Sequence, residues 1–169
     1  MSRAFVKESD DDLVAGELPE RPVPAHVNYV TPRGLEMLQA RLKELQDRHE
    51  GVKRVSEEDS AAKQAMREID RDLRYVNAQL ERAVVVDPAQ QPRDEVHFGA
   101  CVKIEDEEGV VHEFTLVGDD EADVSAGRIS WASPLARALM NGKAGDAITW
   151  RRPAGETEVE ILSIRYPDA

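Results

Sequence analysis

The sequence predicts an α+β protein, an N-terminal antiparallel helical hairpin followed by a small sheet with one helix packed on it. Three observations predict it. Apolar residues recur at alternating spacings of three and four within residues 31–83, a period of two takes over from Val96, and a proline-bearing stretch from Asp87 to Asp94 separates the two patterns. The expected organisation is a flexible acidic tail over 1–30, a coiled-coil hairpin over 31–84 and a globular domain over 85–169.

The tail is read from Glu8, Asp10, Asp11 and Asp12, from Pro19, Pro22 and Pro24, and from a scarcity of bulky apolar groups to offset ordering entropy. Thr31-Pro32 then supplies a helix cap and a proline at the first helical position, where the missing N–H costs nothing. Leu35, Leu38, Leu42 and Leu45 form one seam, and Ala62, Met66, Ile69, Leu73, Val76 and Leu80 form a second. Two such seams with a short connection pair as a finger-like hairpin, whose first helix, from Pro32 to about Glu50, is about 28 Å long at 1.5 Å per residue. Its tip falls between His49 and Ser60, where Gly51 interrupts the pattern and Ser56 to Ser60 reads as a helix start capped by Ser56.

In the second part, Val96, Phe98, Ala100, Val102 and Ile104 alternate with polar or small residues as a strand does. A Glu107-Glu108-Gly109 turn leads into a second strand over Val110 to Val117. Ser133-Pro134-Leu135-Ala136-Arg137-Ala138-Leu139-Met140 reads as a short helix closed by Asn141-Gly142. Ala147 to Arg151 and Glu158 to Tyr166 supply two further strands around Pro153 to Glu156.

Charge and composition narrow the function classes. With 22 Lys+Arg against 34 Asp+Glu, the net charge of −12 repels a phosphate backbone, so any nucleic-acid contact is expected to be local and without sequence-specific reading of DNA. No apolar run long enough for a membrane span and no secretory h-region occur, which leads to the expectation of a cytoplasmic protein. The single cysteine, Cys101, excludes an internal disulfide and reads as a small buried hydrophobe in a strand. The four histidines have no metal-ligand spacing, Trp131 and Trp150 read as core aromatics, and no phosphate loop or Ser-His-Asp arrangement is present. No tightly bound cofactor is expected.

Several blocks resemble a known family in order along the chain. Phe98-Gly99, Val117-Gly118-Asp119-Asp120-Glu121-Ala122-Asp123, Gly127-Arg128-Ile129-Ser130, Ser133 to Leu139, Lys143-Ala144-Gly145-Asp146 and Ile161 to Tyr166 resemble the C-terminal domain of the bacterial GreA/GreB transcript-cleavage factors. Arg67 to Tyr75 resembles the second helix of their coiled coil, nearest to the GreB branch. The resemblance covers roughly residues 28 to 167. It implies an FKBP-like globular domain, a monomer, and an accessory factor that is not itself an enzyme. Such a factor docks on RNA polymerase and inserts its hairpin through the secondary channel, where an acidic tip helps hold magnesium for hydrolysis of backtracked RNA. Carboxylates are the hard ligands magnesium prefers. Two departures stand out: no Asp-x-x-Glu-Asn tip string occurs between Leu45 and Ala65, and the hairpin is about a dozen residues shorter than in cleavage factors, or about 9 to 10 Å of reach.

The candidate residues each carry two readings. Glu57, Glu58 and Asp59 could share magnesium with the polymerase, or complement a helix dipole and act as a noncatalytic acidic plug. Lys63, Arg67, Arg71 and Arg74, at spacings of 4, 4 and 3, could form a basic stripe for the nascent RNA 3′ end or polymerase acidic groups, or a solvated face with ion pairs. Ser133, Pro134 and Leu135 could dock the polymerase, or cap and pack; Ala132 stands where GreB-like members carry an acid. Two functions follow: stimulation of RNA cleavage by the polymerase, or noncatalytic occupancy of the channel in competition with cleavage factors, as in the related regulators of nucleoside diphosphate kinase. Independent prolyl isomerase activity is a third and weaker option, because a shared fold does not carry activity.

Overall fold

The structure is a computed structural model describing residues 18–55 and 58–167. Strand β1 (Asn28–Val30) leads into α1 (Pro32–Lys53), which turns back as α2 (Ser60–Arg82) and runs into β2 (Ala83–Val85). The globular part follows as β3 (Cys101–Asp106), β4 (Val111–Val117), β5 (Arg128–Ser130), α3 (Pro134–Leu139), β6 (Ala147–Arg152) and β7 (Gly155–Arg165).

Helix α1 starts as its sequence dictates, with the Thr31 hydroxyl accepting from the Gly34 amide at 2.9 Å and Pro32 in the first turn. Its 22 residues make a rod of about 33 Å. The seam closes around Leu45, Ile69 and Val76, with Leu42, Leu73 and Leu80 packed beside them. At the tip, α2 begins later than the acidic run suggests. Asp59 is its cap, the carboxylate accepting from the Ala61 amide at 2.9 Å, and Ser56, the expected cap, lies outside the described residues.

The five-stranded sheet runs β5-β4-β3-β7-β6, antiparallel except for the β4–β5 pair. Its core joins Val96, Val102, Ile104, Leu116, Val159 and Ile161 to Leu135, Ala136 and Leu139 of α3. The alternation from Val96 does not give a strand until Cys101. Gly99 adopts φ +89° and its amide donates to the Leu116 carbonyl of β4, while those of Val96 and Ala100 donate to Gly142 and His97, so the chain turns before β3 begins.

Two features escape the sequence patterns. β1 and β2 pair in parallel, Asn28 opposite Ala83 and Val30 opposite Val85, and close the base of the finger. The acidic tail expected over 1–30 therefore needs correction at its C-terminal end. Asn28 is only 2% exposed and its amide donates to the Gln79 carbonyl, while the acidic cluster at 8–12 lies outside the described residues. Strand β5, three residues long, is the other feature.

Gly118 sits where the base of the finger meets the sheet. A Cβ built there would stand 2.4 Å from the Tyr29 carbonyl oxygen, although its φ of −71° suits any residue. Gly118→Ala is expected to lose stability through overpacking, by about 1–3 kcal/mol, in urea unfolding. Gly51→Ala, with open space around it, should lose none.

Candidate functional site

Three consecutive carboxylates, Asp119, Asp120 and Glu121, follow Gly118, and each holds a different part of the finger. Asp119 accepts from Ser130 at 2.6 Å and lies 2.6 Å from His26 Nε2, joining β5 to the segment before β1. Asp120 accepts from the Tyr75 hydroxyl at 2.6 Å and from the Gln79 amide at 2.8 Å, both on α2. Glu121 is buried at 5% exposure, accepts from the Thr31 hydroxyl and has Arg33 at 3.7 Å, so it grips the start of α1. Burial, then the Asp120 hydrogen bond, pushes the Tyr75 phenol well above its ordinary range. Around this turn Trp131 packs edge-on to His26 and Tyr29, with ring centroids 5.5 and 5.0 Å away. The result is a rod fixed at its root to a globular base.

The expected site residues fall in three separate places. At the tip, Asp59 spends one carboxylate oxygen on the α2 cap, Glu58 is exposed, and Glu57 lies outside the described residues. No group of three or more His, Cys, Asp or Glu is arranged to hold a metal ion among the described residues. The oxygen donors suit magnesium, but those described do not make a site by themselves.

Along α2 the basic residues do share one side. Lys63, Arg67 and Arg74 are exposed and Arg71 is partly buried. Arg67 donates to Gln64 at 2.6 Å and Arg71 to Asp72 at 3.2 Å, while Arg74 holds Glu20.

At the globular end, Ser133 caps α3, its hydroxyl accepting from the Ala136 amide at 3.3 Å. Leu135 turns into the core at 8% exposure, whereas Pro134 faces solvent. Of the three docking candidates, Pro134 is the one that presents its side chain outward. It borders an open groove of about 520 Å³ with Arg137 and Ala138 of α3 and Ile148, Thr149 and Arg151 of the edge strand β6. Sequence reasoning missed this pairing of α3 with β6; the alternation of Ile148 and Trp150 with Thr149 and Arg151 was the signal available for it.

A helical finger rooted by an acidic turn on a small α+β domain, with basic residues along one side of α2, is the class of protein that the fold defines. Residues 91–166 match the model of the family described as "Transcription elongation factor, GreA/GreB, C-term". GreB of Neisseria meningitidis serogroup B is 40% identical over 153 residues, covering 82% of this chain and 94% of its own. GreA of Nitratiruptor is 41% identical over 119 residues, 69% of this chain and 72% of its own. The solved GreA/GreB factor of Nitrosomonas europaea is 26% identical over 83% of this chain and 99% of its own, with a TM-score of 0.41. The chain belongs to the GreA/GreB family of transcription elongation factors.

The match also carries a length difference. It spans 153 aligned positions, yet 82% of 169 residues is about 139, so about fourteen positions of the meningococcal relative have no counterpart here.

Asp120→Ala would orphan the Gln79 amide, whose residue is fully buried, together with the Tyr75 hydroxyl. The expected loss is about 1–3 kcal/mol in chemical unfolding. Hydrogen exchange should rise first at the root of α2.

Proposed function

We propose that this protein binds bacterial RNA polymerase and regulates elongation by placing the α1–α2 finger in the secondary channel, without being an enzyme itself. The observation that carries the reading is the root. Asp119, Asp120 and Glu121 fix the rod to the globular base, so docking the base aims the tip. Ser133 and Pro134, with the adjoining groove, supply the docking end; Lys63, Arg67, Arg71 and Arg74 supply the flank that meets the nascent RNA 3′ end.

Of the two actions open to such a finger, noncatalytic occupancy of the channel is the one the geometry favours. Asp59 is committed to its own helix, and about fourteen positions are missing relative to a GreB. If the missing positions are shared between the two arms, the tip recedes by about 10 Å at 1.5 Å per residue. Magnesium ligands must stand about 2.1 Å from the ion. Stimulation of polymerase cleavage is the second reading, favoured by the exposed Glu58 beside Asp59 at the apex. In that case Glu57, Glu58 and Asp59 would lend carboxylates to a magnesium ion shared with the polymerase, whose own centre performs the hydrolysis.

The experiment is RNA 3′-end cleavage in a backtracked elongation complex with matched polymerase and magnesium. Occupancy predicts no faster release of 3′ fragments, together with displacement of an authentic cleavage factor. Faster release that disappears in Glu57→Ala/Glu58→Ala/Asp59→Ala would establish the cleavage reading instead. Failure to bind the polymerase would overturn both.

A further inference from the structure

The segment before β1 lies along the flank that the proposed function assigns to RNA. Glu20 grips Arg74 with both carboxylate oxygens, Oε2 standing 3.0 Å from Nε and Oε1 facing Nη2. Arg21 stacks its guanidinium 3.8 Å from the Tyr75 ring centroid and reaches Asp72 at 3.5 Å. Leu18, Pro19 and Glu20 wall a groove whose opposite side is Arg67, Asp70 and Arg74. The far end of the segment is tied down, since Arg82 donates to the His26 carbonyl and Asn28 to Gln79.

We propose that residues Leu18 to Arg21 are a displaceable strap that masks the basic stripe of α2, with Glu20 standing on Arg74 where a phosphate of single-stranded RNA would bind. The chemistry is that of the guanidinium fork, whose two parallel N–H donors fit a carboxylate and a phosphate alike. The strap is built to let go. Both side chains of the Glu20–Arg74 pair are more than half exposed, and exposed ion pairs hold weakly against competitors. It is also cheap to put back, because Pro19, Pro22 and Pro24 hold the segment extended and reduce the entropy of ordering it. Arg74 draws the Glu20 carboxyl below its ordinary range, chiefly through the hydrogen bond, and the Arg71 charge acts in the same direction. A chain of net charge −12 has few places to accept phosphate, so a carboxylate on one of them changes access substantially. The strap rests on the reading of the stripe as an RNA contact.

The test is fluorescence anisotropy of a labelled single-stranded oligouridylate at low ionic strength, with the full chain, Glu20→Gln, Arg74→Gln and the double variant. Removing the strap's carboxylate should tighten binding about two- to fivefold, the range an exposed ion pair is worth, and the gain should vanish in the Arg74→Gln background. If Glu20→Gln binds as the parent does while Arg74→Gln binds more weakly, the stripe stands and the strap is overturned. If no variant binds, or if neither Glu20→Gln nor Arg74→Gln differs from the parent, the reading of the stripe fails and the strap fails with it.

Discussion

The turn from Gly118 to Glu121 is the constraint on which the rest of the structure depends. A two-helix hairpin has a thin core, here Leu45, Ile69 and Val76 with their apolar neighbours, and cannot by itself choose an angle to another domain. Asp119, Asp120 and Glu121 make that choice, because consecutive carboxylates in a short helical turn point in different directions and each meets a donor from a separate element. Gly118 lets the turn approach the Tyr29 carbonyl closely enough for the three bonds to form together. Such charge-assisted bonds are stronger than neutral ones, and Glu121 and Gln79 are shielded from water.

Much of this was legible in the sequence, and the illegible part has a physical reason. The seams of α1 and α2, the Thr31-Pro32 start and the Ser133-Pro134 start are local signals, and each element formed where its pattern lies. The β1–β2 pair was not legible because three-residue strands more than fifty residues apart carry no period, and their partner is chosen by the hairpin between them. The start of α2 falls three residues later than the sequence suggests because Ser56 and Asp59 are both good cap residues, and nothing local decides between them. The acidic run at 119–121 was visible, but its role was not, since its donors come from Thr31, Tyr75 and Ser130. Leu135 belonged to a helix start whose docking and packing readings shared one pattern; its burial separates it from Pro134.

Function follows from how charge is distributed, more than from the net −12. Three acids are spent at the root, on ordering the finger, while Lys63, Arg67 and Arg74 stand exposed along α2. A strongly negative protein can in this way still carry one local basic flank. In the proposed function, the reach of the finger decides between lending carboxylates to an active centre and standing in its entrance.

The central claim is that the acidic turn holds the finger at one angle, and the most direct measurement is a spin-label distance between Val55→Cys at the tip and Leu162→Cys on the sheet. Both positions are exposed and the native Cys101 is buried, so the labels go where they are intended. A single narrow distance distribution in the parent background, broadening when Asp119, Asp120 and Glu121 are neutralised together, is the result the structure predicts. A broad or two-population distribution with the turn intact would contradict it.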